Sequence, residues 1–143
     1  TEFIELAGKV NSRMPGYVVE RINTALNSHS KCLRDSHVLL IGVSYKEDIP
    51  DIRESPALKV AGLLIQGGVD VAYHDPLVPS VKLNGRSMSS CSLDTKTLND
   101  ADCVVVLTAH SRVDWDKVGS ESRLIVDTRN AVPSEHQEKI FSI

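Results

Sequence analysis

The chain is poor in the features that mark several common classes. Its 143 residues hold three cysteines, Cys32, Cys91 and Cys103, far apart and odd in number, with no CxxC spacing. That excludes a disulfide framework and points to a reducing, cytoplasmic setting. Cys103, inside "DCVVVLT", reads as a small apolar core residue. The 16 Lys and Arg residues are interspersed with 19 Asp and Glu, for a net charge of −3. With no long basic run there is no nucleic-acid footprint. No apolar run approaches the roughly 18 residues of a membrane span. The N-terminus, "TEFIELAGKVN", lacks the blocks of a signal peptide. It also lacks an initiator Met, as expected of a fragment or a processed chain. The five histidines, His29, His37, His74, His110 and His136, show no metal-ligand spacing and are expected at the surface or at loop ends. Finally, "GVSYKEDIPDIRESP", residues 42–56, places one glycine after an apolar run, but the second and third glycines of a dinucleotide fingerprint are missing.

What is present suits a globular domain: 41% hydrophobic and 24% charged residues, enough for one sizeable core plus an appended segment. Phe3, Ile4, Leu6, Ala7 and Val10 fall on one helical face. Ser12 as a cap, Pro15 in a first turn, and Val18, Val19, Ile22, Ala25 and Leu26 then predict a second helix over 15–28, broken from the first at Pro15-Gly16. These helices precede the first strand, as a connector from something upstream would.

The β-branched run Val38 to Val43 predicts a strand buried on both faces. Ser55 is the candidate N-cap of the next helix, and Pro56 suits its first position. Ala57, Val60, Ala61, Leu64 and Ile65 form its buried stripe, and Gly67-Gly68 end it. "VDVAYHDP" is a second strand, 77–92 reads as irregular with a turn at "NGR", and a short helix starts near 94. "DCVVVLTAH" is a third strand, "DWDKVG" a helical turn and "RLIVDTRN" a fourth strand, with the tail adding a turn or fraying. This order predicts an α/β domain, Rossmann-like and three-layered, with a mainly parallel sheet preceded by connecting helices.

Ligands of such sheets bind beyond the carboxyl ends of the strands. There stand Ser44 to Lys46, His74 to Pro76, Thr108 to Ser111, and Asp127 to Asn130. The Lys46 ammonium and the Arg129 guanidinium suit phosphate, and Tyr45 offers a flat face to a base or sugar. Together they suit a nucleotide diphosphate. Asp48, Asp51 and Glu54 are candidates to pair Arg53 internally. Asp75 sits where a ribose-gripping acid would, although a turn-forming Asp-Pro explains it better without the three glycines.

The stretch "GVSYKEDIPDIRESPALKVAGLLIQGGVDVAYHDPLV" resembles the start of the C-terminal UDP-binding domain of the UDP-glucose/GDP-mannose dehydrogenase family, and "VDTRNAV" resembles that family's late Arg-bearing strand end. The resemblance extends from the connecting helices to Val132. Family members oxidise the C6 alcohol of a sugar nucleotide to a carboxylate with two NAD. The resemblance implies that Tyr45, Lys46 and Arg129 line the UDP moiety and that Arg53 approaches NAD held mainly by another domain. It implies connecting helices over 1–33, a UDP-sugar-binding domain over 34–143, and a homodimer in the full-length enzyme. "VNSRMPGYVVERI" resembles the branch acting on UDP-N-acetylhexosamines, so UDP-N-acetylglucosamine or UDP-N-acetylmannosamine leads, with UDP-glucose behind.

The departures are equally specific. The family's NAD domain and its catalytic cysteine, which lies in a glycine-rich motif and holds the aldehyde as a thiohemiacetal, have no counterpart in these residues. No catalytic residue or metal ligand is assigned, and the chain alone is expected to be inactive. Two functions remain: the substrate-binding part of an NAD-dependent dehydrogenase, or a stand-alone nucleotide-binding or regulatory module.

Overall fold

A computed structural model of the chain describes the backbone of residues 2–142 and the side chains from Met14 to Phe141. A long helix, α1 (Glu2–Ser28), leads into strand β1 (His37–Ile41), helix α2 (Pro56–Gln66) and strand β2 (Asp70–His74). A hairpin follows, β3 (Ser80–Leu83) and β4 (Arg86–Ser89), and then α3 (Thr95–Asp100) and β5 (Cys103–Val106). Helix α4 (Trp115–Glu121), β6 (Ile125–Asp127), a 3-10 helix (Ser134–Lys139) and β7 (Ile140–Ser142) complete the order.

Five strands pair in parallel in the order β2-β1-β5-β6-β7. The alternation of side chains along each strand sorts the apolar run onto two faces. Val38, Leu40, Cys103, Val105 and Val126 point to the side covered by α1 and α2. Leu39, Ile41, Val104, Val106 and Ile125 point to the side holding Leu98 of α3 and Val118 of α4. The three-layer α/β expectation is met, and a continuous apolar strand is what burial on both faces demands. Cys103 is fully buried and packs as the small apolar residue its context predicts.

Several local expectations are corrected. Helix α1 runs unbroken from Glu2 to Ser28 with Pro15 inside it and Ser12 in its interior, so neither a break at Pro15-Gly16 nor a cap at Ser12 is present. The face carried by Phe3, Ile4, Leu6, Ala7 and Val10 lies outside the described side chains. Further along, Val18, Ile22, Ala25 and Leu26 are buried in the same core as Leu40, Leu64 and Val105, so this face covers the sheet. Ser55 precedes α2 in extended conformation but makes no side-chain cap; its hydroxyl donates to the Val43 carbonyl at 2.7 Å instead. Pro56 takes the first helical position as expected.

Residues 80–89, read as irregular, form the β3–β4 hairpin, with Asn84 (φ 52°) and Gly85 (φ 75°) both left-handed at the turn. This is the Asn-Gly combination that tight hairpins favour. The tail contributes the edge strand β7, which pairs Ile125–Asp127 with Ile140–Ser142.

Candidate functional site

The chain leaves β1 toward β2 on one side of the sheet and later returns to β5 on the other. The strand order therefore reverses between β1 and β5. In open parallel sheets the crevice beyond the carboxyl ends at this switch point is where ligands sit. Two loops meet there. Gly42 ends β1 at φ +86°, and a Cβ on it would lie 2.4 Å from the Thr108 Cβ and 2.6 Å from the Thr108 carbonyl oxygen. Only glycine permits both that dihedral and that approach of the β1 and β5 loops.

A cleft of about 260 Å³ opens at this edge, lined by Tyr45, Lys46, Glu47, Thr108, Ala109 and Arg129. The three residues singled out for a nucleotide diphosphate thus converge on one cleft. Tyr45 is 56% exposed. The Lys46 ammonium forms no ion pair among the described residues. Arg129 is positioned twice: its backbone N–H donates to Asp127 Oδ1 at 3.0 Å, and its Nε donates to the Leu107 carbonyl at 3.0 Å. Asp127 is spent on backbone amides, since its Oδ2 also accepts from Val132 N–H at 2.9 Å. An Arg129–Asp127 side-chain pair, the bland explanation of this arginine, is not formed. The terminal nitrogens of Arg129 make no hydrogen bond within the described residues, so the guanidinium keeps the four N–H donors of both terminal nitrogens for a ligand.

Arg53 lies elsewhere. It lines no part of this cleft, and its guanidinium grips Asp51 twice, Nε to Oδ1 at 3.1 Å and Nη2 to Oδ2 at 3.0 Å. These side-chain bonds from Arg53, with its backbone N–H, hold the Asp51 carboxyl down at about 2. A separate groove of about 990 Å³ between α1 and α2 is lined by residues such as Tyr17, Leu58 and Leu63 and shares none of the cleft's lining residues.

Beneath the cleft is a buried polar cluster. Asp75 and Ser44 are each 2% exposed and His110 is 0% exposed. Asp75 Oδ2 accepts from the Val43 and Ser44 amides at 2.8 and 3.3 Å, and Oδ1 accepts from Leu77 N–H at 2.8 Å. Asp75 is a brace between β1 and β2 rather than a ribose ligand. His110 Nδ1 accepts from the Asp48 amide at 2.9 Å, which fixes the proton on Nε2. That Nε2–H is shared between Asp75 Oδ2 at 2.9 Å and Ser44 Oγ at 3.1 Å. Ser44 in turn donates its hydroxyl proton to the Lys46 carbonyl at 2.8 Å.

The Asp–His–Ser composition does not make a nucleophilic triad. Both partners use the same ring nitrogen, and all three residues are closed to solvent. His110 lies in the loop after β5, within the expectation of surface or loop-end histidines, but it is fully buried there. A lone histidine has no periodic signal, and its partners are 35 to 66 residues distant in the chain. His136, by contrast, is a partly exposed residue paired with Asp116 at 2.9 Å.

The arrangement is that of a Rossmann-like domain whose strand ends carry cationic side chains in place of a glycine-rich turn. The sequence profile of the UDP-glucose/GDP-mannose dehydrogenase family, UDP binding domain, matches residues 39–134, and the chain belongs to that family. It is 29% identical over 137 residues to the UDP-N-acetyl-D-mannosamine dehydrogenase of Methanococcus vannielii, an alignment covering 90% of this chain and 30% of the relative. Its fold superposes on the UDP-D-ManNAc dehydrogenase of Pyrococcus horikoshii with a TM-score of 0.75 at 27% identity, covering 93% of this chain and 31% of the other. The NDP-N-acetyl-D-galactosaminuronic acid dehydrogenase of Methanosarcina mazei gives 0.77 at 26% identity, covering 96% and 30%. The chain therefore spans about 30% of the length of these relatives. Among the described residues no helix is long and apolar enough to cross a membrane.

Proposed function

We propose that this chain is the UDP-sugar-binding part of an NAD-dependent nucleotide-sugar 6-dehydrogenase that oxidises a sugar C6 alcohol to the uronate. Tyr45, Lys46 and Arg129 receive the UDP moiety. The observation that supports this reading is their convergence on one cleft at the switch point of a domain in this family. Lys46 and Arg129 neutralise the diphosphate, and Tyr45 presents its ring to the uridine. The sugar is UDP-N-acetylmannosamine, in keeping with the names of relatives, or UDP-N-acetylglucosamine, with UDP-glucose as the second choice.

The residues present do not fit NAD as their own cofactor. The β1 turn has a single glycine, and Pro56 removes an amide from the start of α2, where a pyrophosphate would dock. On this reading NAD is held by another part of the enzyme, which is cytoplasmic and homodimeric, and the exposed Arg53 approaches that cofactor from this side. Residues 1–33 form the connector and 34–143 the UDP-sugar-binding domain. Calorimetric titration of UDP into the chain tests the proposal. Lys46→Ala should weaken binding by roughly 1.5–3 kcal/mol, the range for hydrogen bonds to charged groups. No binding by the unmutated chain, or equal affinities for the two, would reject it.

A further inference from the structure

The UDP cleft depends on a loop of only a few residues, and that loop is pinned from below by one imidazole. Tyr45 and Lys46 lie at the exposed crest of the stretch from Ser44 to Asp48. His110 touches both ends of it, Ser44 Oγ through Nε2 at 3.1 Å and the Asp48 amide through Nδ1 at 2.9 Å. The base of the staple is fixed as well. Asp75, from the end of β2, holds Nε2 at 2.9 Å, and the His110 carbonyl accepts the Trp115 indole N–H at 3.0 Å. Two neighbours in the same segment reinforce the grip. Thr108 Oγ1 donates to the Ser44 carbonyl at 3.0 Å, and Ser111 donates to Asp48 Oδ1 through both its amide (2.7 Å) and its hydroxyl (2.9 Å).

Asp48 itself sits at φ +62°, a left-handed conformation that Asp tolerates better than most residues and that turns the loop back toward His110. An apolar side chain would fill the His110 position at lower desolvation cost. An imidazole at 0% exposure whose every polar atom is spent on one loop and its brace is there for what it holds.

We propose that His110 is a positioning residue for UDP recognition, a buried staple that keeps the Ser44–Asp48 loop in the shape that aims Tyr45 and Lys46 into the cleft. The proposal rests on the assignment of Tyr45 and Lys46 to UDP. It differs from a plain core role in turning on the acceptor at the Nδ1 position, which takes the Asp48 amide, while the Nε2 contacts to Asp75 and Ser44 only seat the ring. His110→Asn keeps an acceptor within reach of the Asp48 amide but loses the donor to Asp75. His110→Gln reaches Asp75 and Ser44 but offers nothing to Asp48. A core role makes the two variants equivalent.

The test combines amide hydrogen exchange at Asp48 with UDP calorimetry on the 143-residue chain. In His110→Gln the Asp48 amide should exchange about tenfold faster and the UDP Kd should rise about tenfold, the effect of losing one hydrogen bond of about 1.4 kcal/mol. In His110→Asn both should stay within about threefold of the unmutated chain, a change of under about 0.7 kcal/mol. Unchanged exchange in His110→Gln, equal losses in the two variants, or faster exchange with unchanged UDP affinity each overturn the staple. Lys46→Ala separates the two readings. If it loses UDP while His110→Gln does not, the staple fails and the UDP site stands; if it keeps UDP, both fall. One arm needs no substitution. Loop order and ligand binding are reciprocal, so saturating UDP should slow Asp48 exchange in the unmutated chain. An unchanged rate there also overturns the proposal.

Discussion

Arg129→Lys keeps the charge and removes the geometry, so it isolates what a planar fork contributes. The arginine has two attachments, and the substitution breaks one. The backbone anchor, Arg129 N–H to Asp127 at 3.0 Å, is independent of the side chain and survives. The Nε bond to the Leu107 carbonyl at 3.0 Å is lost, because a lysine has no donor at that point along its stem. A half-exposed hydrogen bond of this kind contributes about 0.5–1.5 kcal/mol net. A domain of this size should then melt about 1–6 °C lower. The effect on ligand is larger. Without the Nε anchor the cation is no longer aimed, and one ammonium replaces two parallel donors toward the diphosphate. Losing one charge-assisted bond costs about 1.5–3 kcal/mol, or one to two decades in the UDP Kd. Calorimetric titration and thermal unfolding of the same variant give both numbers. A Kd within about twofold of the unmutated chain, under about 0.4 kcal/mol, together with a lower Tm, would refute the ligand role and leave Arg129 as a strut between the β5 and β6 loops.

Gly42→Ala places a Cβ 2.4 Å from Thr108 at φ +86°, and denaturant unfolding should show a loss of roughly 2–5 kcal/mol, strain and overpacking together; a loss below about 1 would mean the loops part easily. UDP affinity should fall as salt rises, because exposed side-chain cations are screened over about 8–10 Å; a flat salt response would contradict a cation-built site. In acid, Asp48 is held below the ordinary 3.8 by its bonds from Ser111, and Asp51 is held to about 2 by Arg53. Depressed folded-state values stabilise above 3.8 and lose that contribution as pH falls through them. Thermal melts should therefore be flat near neutrality and drop between about pH 4 and 2, and a Tm that rises there would reverse the sign. Incubated with NAD and a UDP-sugar, the chain alone should yield no NADH at 340 nm: burial pushes the Cys103 thiol up to about 12, far from a nucleophilic thiolate, and turnover would overturn the division of labour proposed here.

The parts of the fold that sequence reveals are those in which one residue type repeats with the period of its element. Val38 to Ile41 and Cys103 to Val106 are continuous apolar runs because both faces of a central parallel strand are covered. Helix α2 announces itself by Ser55-Pro56 and by a stripe of which Ala57, Val60, Ala61 and Leu64 are indeed buried. The hairpin is missed because its strands are only four residues each: β3 alternates, with Val81 buried between exposed Ser80 and Lys82, but β4 carries one apolar residue, Met88, so Asn84-Gly85 is the clearest signal. Strand β7 is missed because three residues at an edge are too few to show a period. Tyr45, Lys46 and Arg129 are legible from position alone, each lying just past a strand end. His110 is not, because what makes it distinctive is the set of atoms around it, and those come from the ends of β1 and β2.

The missing glycines acquire a physical reason from Asp75. In a dinucleotide turn the amides after the first strand are free, and the helix that follows offers its N-terminus to a phosphate. Here the corresponding amides, of Val43 and Ser44, are already bonded to the buried carboxylate of Asp75. The helix start is occupied by Pro56, which has no amide hydrogen, and by Ser55, whose hydroxyl is turned back to Val43. The fold has satisfied its own anion-binding backbone with an internal anion. On the proposed reading, a phosphate arriving at this edge finds those two amides occupied and is neutralised by side chains. Those at the cleft with uncommitted cationic donors are Lys46 and Arg129, on the loops after β1 and β6. Only Gly42 is then needed as glycine, for the close approach to Thr108. The stretch from Ser44 to Arg53 is free to carry an aromatic ring and charges in place of small residues.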